Sequence, residues 1–137
     1  MRKVINFFLL LMLLITAGCT TSSLKWSPAG EGETSLSGKK AVWKLNAVNN
    51  GLYLFYYIPF FCGSPTRPNR WDYKFFRHCT GEKHALMLLN SKNRQLKADA
   101  VEDVKIKYNT NGWIGLGILW SRSFSASGIA VKSKKNR

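Results

Sequence analysis

Polar and apolar positions along the 137 residues fall into blocks of different period. Val4–Ile15 is an apolar run broken only by Asn6, shorter than the about 20 residues that cross a bilayer as a helix. From Thr20 to about Lys40 the chain is mostly small and polar, with Leu24 and Trp26 interrupting the pattern. Ala41–Val48 then alternates, with Val42, Lys44 and Asn46 on one face and Trp43, Leu45 and Ala47 on the other, the period of a strand. Asn49-Asn50-Gly51 carries a turn signal, and the aromatic-rich Leu52–Ile58, stopped by Pro59, reads as a strand covered on both faces. Gly63–Arg70, holding Pro65 and Pro68, is a loop.

The period then lengthens. Trp71–His78 suggests a short helical turn. After it Ala85, Leu88, Leu89 and Leu96 recur at helical spacing, with Thr80 as N-cap and Glu82 suited to the positive end of the helix dipole. Lys83, Asn90, Asn93, Arg94 and Lys97 fall on the face expected to be wet. Val101–Tyr108 returns to alternation, placing Val101, Asp103, Lys105 and Lys107 opposite Glu102, Val104, Ile106 and Tyr108, as in a half-solvated sheet. Arg122, Phe124 and Ala126 alternate with serines in a last strand that bends at Gly128. The order predicts an α+β fold, one helix packed on a small, mostly antiparallel sheet over residues 41–132. Residues 19–40 read as a flexible linker, too polar to offset its own chain entropy, with a reach of roughly 25 Å, and 133–137 as a basic tail.

What surrounds the first apolar run changes the picture. Arg2 and Lys3 precede it, and the small residues Thr16-Ala17-Gly18 follow, which is the layout of a secretory signal over residues 1–18. Ile15-Thr16-Ala17-Gly18-Cys19 resembles the lipobox of bacterial lipoproteins, with Thr16 where that family usually has Leu. The resemblance implies cleavage before Cys19, acylation of its thiol and new amino group, and a membrane anchor made of lipid. Thr20 is not Asp, which by the family's rule implies the outer membrane. The plainer alternative is an ordinary secretory signal that leaves Cys19 as a structural cysteine.

Export would place Cys62 and Cys79 where thiols oxidise. A bridge between them would tie the exit of the aromatic strand to the start of the helix and stabilise the fold by about 3 kcal/mol on a chain-entropy basis. The competing chemistry is a metal site built from Cys62, Cys79, His78 and His84, but its spacing is irregular and lacks a Cys-x-x-Cys pair. Gly112–Trp120 is apolar with three glycines and has two readings. It is either a core strand whose glycines admit a close neighbour, or an exposed loop presenting Trp113, Ile114, Leu116, Ile118 and Trp120 to a membrane or a partner. Asn111-Gly112 leading into this run before a final strand resembles the Bor-type serum-resistance lipoproteins of bacteria. That likeness is confined to the segment and the element order, and carries no function with it.

Charge comes last because its meaning depends on compartment. The chain carries 21 Lys and Arg against 7 Asp and Glu, for a net +14, and only Arg2 and Lys3 of those bases belong to the signal. A basic exported surface suits anionic lipid or a cell-wall polymer; nucleic acid would use the same charges, but export disfavours it. No nucleophile elbow, P-loop or His-Glu-x-x-His pattern occurs, and Glu102 and Asp103 point to opposite faces of their strand, so no enzyme and no cofactor is expected. The expectation is an anchored envelope protein with a structural or interaction role, contacting an envelope protein or polymer; an inhibitor or immunity-type module against a secreted protein is the alternative.

Overall fold

The alternation that starts at Ala41 runs straight through Asn49-Asn50-Gly51, and this decides the architecture. The computed structural model describes residues 3–7, 22–68, 72–113 and 118–132. Within them lie β1 (Ser23–Pro28), β2 (Lys40–Leu54), β3 (Ile58–Gly63), β4 (Tyr73–Phe75), α1 (Glu82–Gln95), β5 (Ala100–Trp113) and β6 (Leu119–Lys132). The strands form one antiparallel sheet in the order β4-β3-β2-β6-β5, and β1 lies in line with β3 along the same edge of β2. Residues 3–7 are also helical, and among the described residues no helix is long and apolar enough to cross a membrane. The fold is thus α+β and mainly β.

Asn49 explains why the turn signal fails. It is fully buried, and its amide Nδ2 donates to Ser22 Oγ (2.9 Å) and to the Gly63 carbonyl (3.4 Å). Its Oδ1 accepts from the Gly81 N–H at 3.2 Å. An amide that would have closed a solvated turn instead ties the starts of β1 and α1 to the end of β3. Gly51 is required beside it, because a Cβ there would run into the Thr80 hydroxyl.

The real turn comes later, inside the run expected as a single strand. Tyr57 N–H donates to the Leu54 carbonyl at 3.2 Å, with Phe55 (φ 48°) and Tyr56 (φ 69°) both left-handed. The chain therefore reverses at 55–57, and Ile58 and Pro59 open β3 instead of ending β2. Pro59 is tolerated there because β4 pairs only with Phe61–Gly63, so its missing N–H leaves no gap in the outer ladder.

Leu24, Leu45, Ala47, Ala126 and Ala130 from the sheet and Ala85, Leu88 and Leu89 from α1 form one buried cluster. Alanines on β2 and β6 let the helix backbone come close, and each buried leucine contributes about 1.5–3 kcal/mol. The helix departs from expectation at both ends. Gly81 is its N-cap, with no side-chain cap bond, so Thr80 does not cap it. Asn93 is buried rather than wet, and donates to the Ala98 carbonyl just past the helix end (3.3 Å). Residues 73–75 form β4 where a helical turn was expected.

The expected linker is largely folded. Leu24 sits in the core, Trp26 lies under the Lys92 ammonium at 3.4 Å, and β1 pairs from Ser23 to Pro28. Residues 33–39 are pinned as well. Glu102 accepts from the Ser35 and Ser37 hydroxyls and pairs with Lys39 Nζ at 2.5 Å, while the Leu36 N–H donates to Asp103 Oδ2 at 3.1 Å. Both carboxylates reach one loop because a bulge between Glu102 and Lys105 breaks the alternation that would have parted them. Composition alone made this stretch look like tether; specific partners elsewhere in the chain order it.

Two outcomes follow. Asn49→Ala strands the Gly81 N–H and the Ser22 hydroxyl in a dry site, and should lower unfolding free energy by about 2–3 kcal/mol in urea titration. Glu102 is held at a pKa of about 2, against an ordinary 4.5, by hydrogen bonds from Lys39, then Ser35 and Ser37. A depressed carboxylate stabilises fully above its unfolded value, and loses that contribution as pH falls from about 4.5 towards about 2. Glu102→Gln should therefore flatten the acid limb of the stability profile in that window, read by thermal melts against pH.

Candidate interaction surface

The helix covers only part of its face of the sheet. α1 begins at the level of Asn49 and Gly51 and runs towards the start of β5, so the last residues of β2 lie beyond it. A cluster built around one cation covers that end. Arg122 lies in β6 between Gly51 of β2 and Thr110 of β5. Its guanidinium stands 4.4 Å from the Tyr53 ring centre and 4.1 Å from that of Tyr56, and an Nη2 donates to the Tyr56 carbonyl at 2.6 Å. The arginine thus bridges a strand residue and the left-handed turn, and helps hold Tyr56 in that conformation.

Aromatic rings complete the cluster. Trp120 meets Tyr56 edge-on at 5.2 Å and lies across Gly112, where a Cβ would approach the ring to 3.2 Å. Tyr108 packs on Phe124 at 4.7 Å, and Tyr53 Oη lies 3.4 Å from His78 Nδ1. A hydrogen bond joins the Tyr56 and Tyr108 phenols, raising the first above 10. Burial pushes the Tyr108 phenol up, but the neighbouring Tyr56 and Thr110 hydroxyls and the Arg122 charge outweigh that and hold it below 10.

Of the segment 112–120, residues 112, 113 and 118–120 are described. Gly112 and Trp113 end β5, and Leu119 and Trp120 open β6, paired across the hairpin. Ile118 is exposed, and its carbonyl accepts from the Phe55 N–H at 2.7 Å, joining this hairpin end to the 55–57 turn. Trp120 is half-buried on Tyr56. Ile114 and Leu116 lie outside the described residues, as does Cys19.

Cys62 and Cys79 form a disulfide with Cα atoms 6.0 Å apart, linking β3 to the segment that leads into α1. The rival metal site has no such geometry: no group of three or more metal-binding side chains occurs among the described residues. Sequence reasoning missed Arg122 as a centre, having read it only as one alternating position of a strand. The excess of Tyr and Trp flanking both hairpin turns was the available signal.

The opposite face of the sheet is of another kind. Lys105, Lys107, Asn109 and Asn111 of β5 stand beside Ser127, Ser125, Ser123 and Ser121 of β6, with Lys44 and Asn46 of β2 next in the row. Lys44 is paired with Glu33 at 2.6 Å. The β5–β6 side of this face is polar and basic, while towards β4 the row of Ser121 continues through Leu52, Phe61 and Phe75.

Replacing Arg122 by Met removes the cation from between two rings and the donor from the Tyr56 carbonyl. A loss of about 1–3 kcal/mol in urea unfolding is expected, with Arg122→Lys losing less, since a cation remains over the rings. No family model, curated protein or solved structure matches this chain, so no relative's chemistry transfers to it.

Proposed function

We propose that this chain is a lipid-anchored protein of the bacterial cell envelope, attached through Cys19, whose body binds rather than turns over a substrate. The observation that carries this reading is the order of Arg2-Lys3, the apolar run Val4–Ile15, and Thr16-Ala17-Gly18-Cys19. Two or three acyl chains suffice for stable anchoring, since each buried methylene contributes about 0.8 kcal/mol. Thr20 favours the outer membrane as the destination.

The Cys62–Cys79 disulfide supports an oxidising compartment. The basic faces and the aromatic end support contact with an anionic envelope component, either lipid or wall polymer. In this reading α1 is the single helical layer on the sheet, and the binding surfaces are those it leaves uncovered.

The test is metabolic labelling with a palmitate analogue of the full chain, expressed in a diderm bacterium. Label and membrane association are expected in the wild type and in Cys62→Ser/Cys79→Ser, and both should be lost in Cys19→Ser. Label that survives Cys19→Ser, or a wild-type chain that takes none, would remove the proposal. Density separation of the membranes then reads the destination that Thr20 implies.

A further inference from the structure

The geometry points to the aromatic corner formed by the 55–57 turn, β3 and β4 as a surface that lies on an anionic bilayer. The inference rests on the anchor reading only for its orientation, and the surface itself stands on three observations. Phe55, Tyr57, Ile58, Phe75, Phe76 and Ile118 are all exposed at this end of the sheet, Tyr57 at 75% and Phe76 at 69%. Phe60 packs edge-on to Phe76 at 6.0 Å and Phe61 is tilted against Phe75 at 6.0 Å, so these two outer rings sit on an aromatic floor. Large apolar side chains exposed together at one end of a sheet mark a membrane or partner site.

Backbone conformation supplies the second observation. Phe55, Tyr56 and Phe76 all occupy left-handed φ, at 48°, 69° and 50°. A turn with two such residues ordinarily takes Asn-Gly, which adopts it with little strain. The rings of Phe55 and Phe76 are exposed, and the fold itself gains little from them. Something outside the fold gives them their use.

Charge and tether are the third. Lys74, Arg77 and His78 run through and past β4, with Arg67 exposed in the loop before it. Aromatic rings with flanking cations suit the headgroup region of an anionic bilayer, where the rings sit at the boundary and the bases meet phosphate. The body begins at Ser22, fixed beside Asn49 and Gly63, and Gly63 pairs with Tyr73 of β4. Three residues span at most about 11 Å, so an acyl group on Cys19 would hold the β3 edge of the sheet, beside which Ser22 is fixed, near the headgroups.

The test uses the full chain, as cells process it, in vesicles of phosphatidylethanolamine and phosphatidylglycerol that include a photoactivatable acyl lipid. Crosslinks are expected on the peptides carrying residues 55–60 and 73–77, and not on those carrying Ser121–Ser127. The triple variant Tyr57→Ser/Phe75→Ser/Phe76→Ser should reduce them about tenfold, because the apolar area entering the interface is gone. Arg77→Glu, and separately replacement of phosphatidylglycerol by phosphatidylcholine, should reduce them without touching the rings, which keeps the proposal testable if the triple variant misfolds. Crosslinks confined to residues before Ser22 would overturn the docking surface while leaving the anchor intact. Crosslinks at the corner on a chain whose Cys19 carries no acyl group would retain the surface and end the anchor reading. Native-membrane crosslinking that joins the corner to one envelope protein instead of lipid would overturn it as well.

Discussion

β2 and β6 pair along their whole lengths, from Lys40 beside Lys132 to Leu54 beside Leu119, and the other elements dock on that pair. Without side chains as small as Ala47, Ala126 and Ala130 on its inner face, α1 could not approach closely enough to bury Leu88 and Leu89. Without a continuous β2, β1 and β3 would have no common edge to share. Asn49 protects that continuity: three hydrogen bonds from one buried amide replace the solvent contacts that would have favoured a turn. A buried amide left half-paired would cost more than the turn it displaces, so its complete pairing is a condition of the fold.

One face of the sheet is covered in two ways, and each follows from local chemistry. Over Leu45 and Ala47 the cover is a helix, which buries aliphatic groups without directional demands. Beyond Gly51 it is a cation held between two tyrosine rings and flanked by Trp120, Tyr108 and Phe124. The second cover is directional, since Arg122 also donates to the Tyr56 carbonyl, and through that bond the two hairpin ends are held together. The exposed corner beyond is therefore mounted on a rigid support. That matters for any surface meant to present rings and bases in a constant arrangement.

The loop of residues 33–39 shows how composition can mislead. Its serines and glycines resemble a tether when taken alone. Two carboxylates on β5, brought to one side by a bulge, supply acceptors for two hydroxyls, an ammonium and a backbone N–H. The same bulge fits Gly128, where a Cβ would lie 2.7 Å from Val101 Cγ1. Order in this stretch is a property of the pairings and not of the segment.

Local period and short-range chemistry were readable in the residues: the helical spacing of Ala85, Leu88 and Leu89, the alternation of Leu45 and Ala47 against Lys44 and Asn46, and Cys62 with Cys79 as a natural pair. So was the α+β class, in outline. The tertiary structure decided what depends on partners distant in the chain. Asn49-Asn50-Gly51 extends instead of turning because Ser22, Gly63 and Gly81 supply its amide with partners. Phe55 and Tyr56 turn instead of extending because Arg122, 66 positions from Tyr56, holds the reversed carbonyl. A single sequence records the preferences of each residue alone, and these two reversals arise where a long-range hydrogen bond outweighs them.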